Sequence, residues 1–97
     1  MTNRLSEIQI IPIKPQNGLV AFASFVLDES LYLGSIGIMT RPQGGYRLVY
    51  PTKKVAERSL NIFYPISREF ALAIENEIVR QFEEVMKKYD RHNSFNS

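Results

Sequence analysis

The run Leu19 to Leu27, LVAFASFVL, limits the fold more than any other stretch of the chain, because Ser24 is its only polar residue. It is short for a helix and lies between two turn signals, Asn17-Gly18 before it and Asp28-Glu29-Ser30 after it. Length and flanks together predict a strand in the interior of a sheet, with both of its faces wanting cover. A chain of 97 residues, 44% of them hydrophobic, makes one small core and not two. With so little core available, strand edges and apolar faces are expected to call on a second copy of the chain.

The flanking segments predict an antiparallel meander around that strand. Leu5 to Ile13 reads as a strand, with Ile8 and Ile10 on one side and Glu7 and Gln9 on the other. Pro12 has no ladder donor, which puts this strand at an edge or brings it to its end. Lys14 to Gly18 contains the Asn-Gly pair of a hairpin turn. In the third segment, Leu31 to Met39, alternation sends Leu31, Leu33 and Met39 one way and Tyr32, Ile36 and Ile38 the other. Gly34 and Gly37 interrupt both faces and predict a bulge or kink. Gln43-Gly44-Gly45 turns the chain into a fourth strand, Tyr46 to Tyr50, and Leu60 to Tyr64 reads as a fifth. Pro51 and Pro65 mark where pairing stops.

Ser67 is placed to cap a helix that begins at Arg68 and runs to about Tyr89. Its apolar stripe, Phe70, Ala71, Ile74, Ile78, Phe82, Val85 and Tyr89, advances by three or four and forms one buried face. Glu75, Glu77, Arg80, Glu83, Glu84 and Lys87 occupy the opposite side, and Glu69, Lys87, Lys88 and Arg91 complement the helix dipole. At a length of about 30 Å, such a helix covers a small sheet as a lid. The predicted class is α+β: about five antiparallel strands and one long C-terminal helix in a single domain, residues 1–89, followed by a frayed polar tail, 90–97.

Charge is unevenly spread. The whole chain carries a formal +2, yet between Arg41 and Arg58 five basic residues, Arg41, Arg47, Lys53, Lys54 and Arg58, face one acid, Glu57. A basic loop held between two strand ends, with a helix start beside it, suits an anionic partner. Charged surface loops are also common without any partner, so charge alone leaves both readings open. Tyr46 and Tyr50 offer rings for stacking on unpaired bases, although both lie on one strand face, where packing competes for them. Catalysis finds no support. The lone histidine, His92, lies in the tail, cysteine is absent, and no phosphate-binding glycine loop occurs. Asp28-Glu29 reads as a turn before it reads as a carboxylate pair. No enzyme activity, cofactor, metal or small-molecule substrate is expected. The absence of cysteine and of any long apolar span points to the cytoplasm and away from membranes.

The order LVAFASFVLDESLYLGSIGIM, YRLVYPTKK and NIFYPIS before an amphipathic helix resembles the stage V sporulation protein G family, bacterial regulators also called septation regulators. The resemblance runs from about Arg4 to Met86. It implies a small antiparallel sheet with a C-terminal helix, a homodimer formed through the sheets, and binding to DNA and in some members RNA. In that family the strand-Pro-Ser/Thr-Lys/Arg-Lys/Arg segment is the DNA-binding element, and Lys53 and Lys54 match it. The chain departs from the family pattern at Tyr64, where a histidine is usual, near Asn61, where an aspartate is usual, and at Gly34 and Gly37, where polar or basic side chains are usual. The expected function is a dimeric nucleic-acid-binding regulator acting through Lys53, Lys54 and Arg58, helped by Arg47 and Arg41. The alternative is a protein-interaction module that uses a sheet edge or the acidic helix face.

Overall fold

The computed structural model describes the backbone of residues 4–96 and the side chains of residues 4–88. Leu5–Gln16 (β1), Leu19–Leu27 (β2), Leu31–Thr40 (β3) and Tyr46–Val49 (β4) pair antiparallel into a four-stranded sheet in sequence order. The apolar run becomes β2, an interior strand, and the proline-bearing first strand lies at the edge, where a strand tolerates proline. Asn17 and Gly18 both take positive φ, 53° and 90°, in the turn that joins β1 to β2. The next turn places Asp28 and Glu29 at φ 53° and 55°, a pair of left-handed residues suited to the twist of a hairpin. Asp28 is held there by a two-pronged contact from the Arg4 guanidinium, which also lies 5.9 Å from the Phe70 ring centroid. That guanidinium, through its hydrogen bond first, holds the Asp28 carboxyl below its usual range.

One face of the sheet makes the core. Registered rows cross it, Ile10 beside Ala23 beside Ile36, and Pro12 beside Ala21 beside Ile38 beside Leu48, so small side chains on β2 alternate with large ones on its neighbours. The long helix α1, Arg68–Asn96, lies over this face with Ile74, Ile78 and Phe82 fully buried. Their spacing of four puts them on one stripe. The helix starts where the sequence implies: Ser67 Oγ accepts from the amide of Phe70 at 3.2 Å, and its carbonyl accepts from Ala71 at 2.9 Å.

Three expectations change. The helix continues past Tyr89 to Asn96, so the predicted tail enters it, and no basic residue stands in its last turn to meet the dipole. The expected contribution of Tyr89 to the stripe and the position of the His92 side chain lie outside the described residues. On β3 the bulge falls between the pairs Ala23–Ile36 and Phe25–Leu33, with Ser35 at φ 61°. That extra residue breaks the alternation, so Ile36 and Ile38 are buried while Tyr32, expected beside them, is 68% exposed. Finally, Leu60 to Tyr64 does not join the sheet. Thr52–Val55 (β5) and Arg58–Asn61 (β6) form a separate two-stranded sheet instead.

The second face of β2 is open around Phe22, although Ser24 further along it is buried. Ile11, Phe22, Gly37 and Val49 make one cross-strand row there, and Ile11 is 62% exposed. Leu19, Met39 and Pro51 border the same shallow groove. Gly37 flattens its floor, since a Cβ there would sit 3.0 Å from a methyl of Leu19.

Candidate nucleic-acid interface

The expected basic loop is a β-hairpin. Two residues, Ala56 and Glu57, turn the chain between Val55 and Arg58, which pair across the hairpin. Ala56 sits at φ 57°, a left-handed position that favours glycine and that Ala-Glu gives no sign of in the sequence. Four registered pairs follow: Val55 with Arg58, Lys54 with Ser59, Lys53 with Leu60 and Thr52 with Asn61. At the base the amide of Ile62 donates to the carbonyl of Pro51 at 3.0 Å, closing the arm where it leaves the body. Every residue from Thr52 to Asn61 is exposed.

Because side chains alternate along a strand and cross-strand partners share a face, the hairpin has two different sides. Lys53, Val55, Arg58 and Leu60 share one; Thr52, Lys54, Ser59 and Asn61 share the other. The adjacent lysines therefore project in opposite directions. Among the described residues the ion pairs are Arg4 with Asp28, Arg41 with Glu75 and Arg80 with Glu77, and none of them involves Lys53, Lys54 or Arg58. These three charges face solvent uncompensated by any nearby carboxylate in ion-pair contact.

The other two expected residues are placed differently. Arg41 stands at the β3–β4 turn, where its guanidinium donates to the carbonyl of Tyr46 at 3.0 Å and meets Glu75 of the helix at 3.5 Å. Its charge is partly answered within the chain. Arg47 lies on the bare face of the sheet opposite Met39, with a guanidinium nitrogen 3.8 Å from the Met39 sulfur.

Neither tyrosine of β4 and its end is open for stacking. Tyr46 packs edge-on against Phe82, with ring centroids 4.8 Å apart, and Tyr50 edge-on against Phe63 at 6.0 Å. The Tyr50 hydroxyl is buried without a hydrogen-bond partner among the described residues. Burial first, and then the charge of Glu75, push its pKa up to about 12. Exposed aromatic and apolar side chains do occur just beyond the hairpin: Ile62, Tyr64 and Ile66 all point outward, with Ile66 91% exposed.

Thr52, Ser59 and Asn61 gain a shared position with Lys54 that reading the segment as a loop concealed. The signal was present as a period of two on either side of Ala56-Glu57, without the turn residues that usually announce a hairpin. Among the described residues no group of three or more His, Asp or Glu side chains is placed to hold a metal ion. Among them too, no helix is long and apolar enough to cross a membrane.

No match was found among curated proteins. The family model described as SpoVG matches residues 3–84, most of the 97-residue chain, taking in the sheet, the hairpin and most of the helix. The chain belongs to the SpoVG family, a family of regulators connected with sporulation and septation.

Proposed function

We propose that this protein is a dimeric regulator that binds nucleic acid through the β5–β6 hairpin. The observation that carries the reading is the state of Lys53, Lys54 and Arg58: all three stand on an exposed arm, and none has an ion-pair partner among the described residues. Basic side chains displayed in this way neutralise phosphates and release condensed counterions, so affinity falls steeply with salt. Arg47 on the sheet and Arg41 at the β3–β4 turn take a supporting role, with Arg41 shared with Glu75.

A homodimer fits the bare row Ile11, Phe22, Gly37 and Val49, which a second copy would cover. Two arms then bind together. With about three phosphate contacts per subunit, the slope of log affinity against log salt for a dimer on duplex DNA is near about −5. The test is an electrophoretic shift titration of the Lys53→Ala/Lys54→Ala variant across a salt series. A weaker affinity and a shallower slope support the reading; unchanged affinity in a folded variant removes these side chains from the mechanism. A second reading, contact with a protein, is favoured by the outward row Ile62, Tyr64 and Ile66. It predicts a protein retained on immobilised chain with no nucleic acid held at low salt.

A further inference from the structure

We infer that the hairpin lies as a two-stranded ribbon in the major groove of B-form DNA, with Thr52, Lys54, Ser59 and Asn61 turned to the base edges. This rests on the hairpin being the nucleic-acid contact, and it goes further in naming the form of nucleic acid and the residues that select its sequence. The register decides which side faces the bases. Thr52 pairs with Asn61 and Lys54 with Ser59, so four hydrogen-bonding side chains share one side of the ribbon. Three of them are short and uncharged, which lets the backbone approach closely. An Asn amide matches the N6 and N7 positions of adenine, hydroxyls serve either partner, and an ammonium group suits the O6 and N7 acceptors of guanine.

The opposite side is built differently. Val55 and Leu60, both half exposed, separate Lys53 from Arg58 there. Apolar side chains find little on base edges beyond the thymine methyl, so this side is poorly suited to reading. Its two long basic chains can instead bend around the margins of the ribbon to phosphates on the groove walls, which fixes position without reading sequence. The adjacent lysines thus divide the work.

Shape selects the duplex. The major groove of B-DNA, about 12 Å wide, admits a two-stranded ribbon whose strands lie about 4.8 Å apart. The corresponding groove of A-form RNA is too narrow and deep for side chains to enter. Sequence-specific binding of single strands relies on splayed bases stacked upon rings. The hairpin carries no aromatic residue, Tyr46 and Tyr50 are packed against Phe82 and Phe63, and the exposed Tyr64 beyond the hairpin offers one ring where stacking platforms use several. B-form DNA is the partner that remains.

The experiment is selection from a pool of DNA duplexes with a randomised centre, using the full chain and a Ser59→Ala/Asn61→Ala variant. The wild-type chain is expected to enrich a short motif. The variant is expected to keep its affinity for the unselected pool within about threefold while losing roughly tenfold or more of the discrimination between motif and scrambled duplex. A duplex RNA of the motif sequence is expected to bind at least about tenfold more weakly than the DNA. Enrichment of the same motif by the variant, failure of the wild-type chain to enrich any motif, or equal binding of duplex RNA or single strands would each overturn the inference. Lys53→Ala/Lys54→Ala/Arg58→Ala separates the two levels. If it leaves affinity for the pool unchanged, the hairpin is not the contact and both readings fall. If it weakens binding while Ser59→Ala/Asn61→Ala leaves selection intact, only the groove-reading inference falls. Circular dichroism confirms folding, which these exposed positions should not disturb.

Discussion

Cutting the hairpin away should leave the fold standing and remove the binding. The amide of Ile62 already donates to the carbonyl of Pro51 at 3.0 Å, so residues 52–61 can be replaced by Asn-Gly, giving a four-residue turn closed by that same bond. Nothing between Thr52 and Asn61 belongs to the core, and all of those residues are exposed. Two terms then decide the change in stability. An isolated two-stranded hairpin is marginal in water, so its own pairing contributes close to nothing. Shortening the closed loop from ten residues to two recovers loop-closure entropy, about 1.4 kcal/mol from the logarithmic law if the arm behaves as a flexible loop. The deleted chain is therefore expected to unfold in urea at the same midpoint or a higher one, with circular dichroism following the helix and with affinity for duplex DNA gone. A loss of more than about 3 kcal/mol would mean that the arm holds core together, contrary to the burial pattern. A stable deletion variant that still binds DNA would move the interface elsewhere on the molecule.

Phe82 is 2% exposed and carries the edge contact of Tyr46, so Phe82→Ala should cost about 3–5 kcal/mol and lower the melting temperature by more than roughly 10 °C, as read by calorimetry. Tyr50 has a folded pKa pushed up to about 12 against an ordinary 10.0, so the folded state keeps its proton where the unfolded state has lost it. Its contribution is fully present below pH 10 and drains away as the pH rises from there toward 12; in Tyr50→Phe this step should be missing from a plot of unfolding free energy against pH. Ala56→Gly should relieve the left-handed turn and stabilise the hairpin by about 1 kcal/mol, visible as slower amide exchange at Ile62 and Leu60. Light scattering at micromolar concentration should return twice the chain mass; Phe22→Glu, which puts charge in the bare apolar row, should return the monomer with its secondary structure intact.

Much of the fold was legible because local chemistry and tertiary outcome agree. The run LVAFASFVL could satisfy its composition only inside a sheet, Asn17-Gly18 could hardly be anything but a turn, and the spacing of Ile74, Ile78 and Phe82 gave the buried stripe directly. Gly34 announced a bulge on β3, but its consequence, reversal of the phase that puts Tyr32 outside, depends on which residue is left unpaired. The candidate site was legible in composition and not in shape. Ala-Glu is a poor turn pair, and Leu60 to Tyr64 has the apolar character of a strand, so the segment read as a loop and then a strand. Pairing across Ala56-Glu57 overrides both impressions. The partner of Arg41 could not be read at all, because Glu75 comes near it only when the helix lies down on the sheet.

The pleat matters most at the residues that first drew attention. In sequence Lys53-Lys54 is a doublet, and a loop would present both ammonium groups to the same phosphates as one interchangeable charge. On a strand neighbouring side chains take opposite faces, so the doublet becomes one charge beside Arg58 and Leu60 and another beside Thr52, Ser59 and Asn61. The two single variants therefore cannot be equivalent if the arm docks through one side. Lys53→Ala should weaken binding to all duplexes alike and reduce the salt slope by about 1 per subunit, whereas Lys54→Ala should also narrow the gap between preferred and scrambled sequences. Identical losses from the two substitutions, on every duplex and at every salt concentration, would show that the arm meets DNA as a flexible chain and that its strand register has no part in recognition.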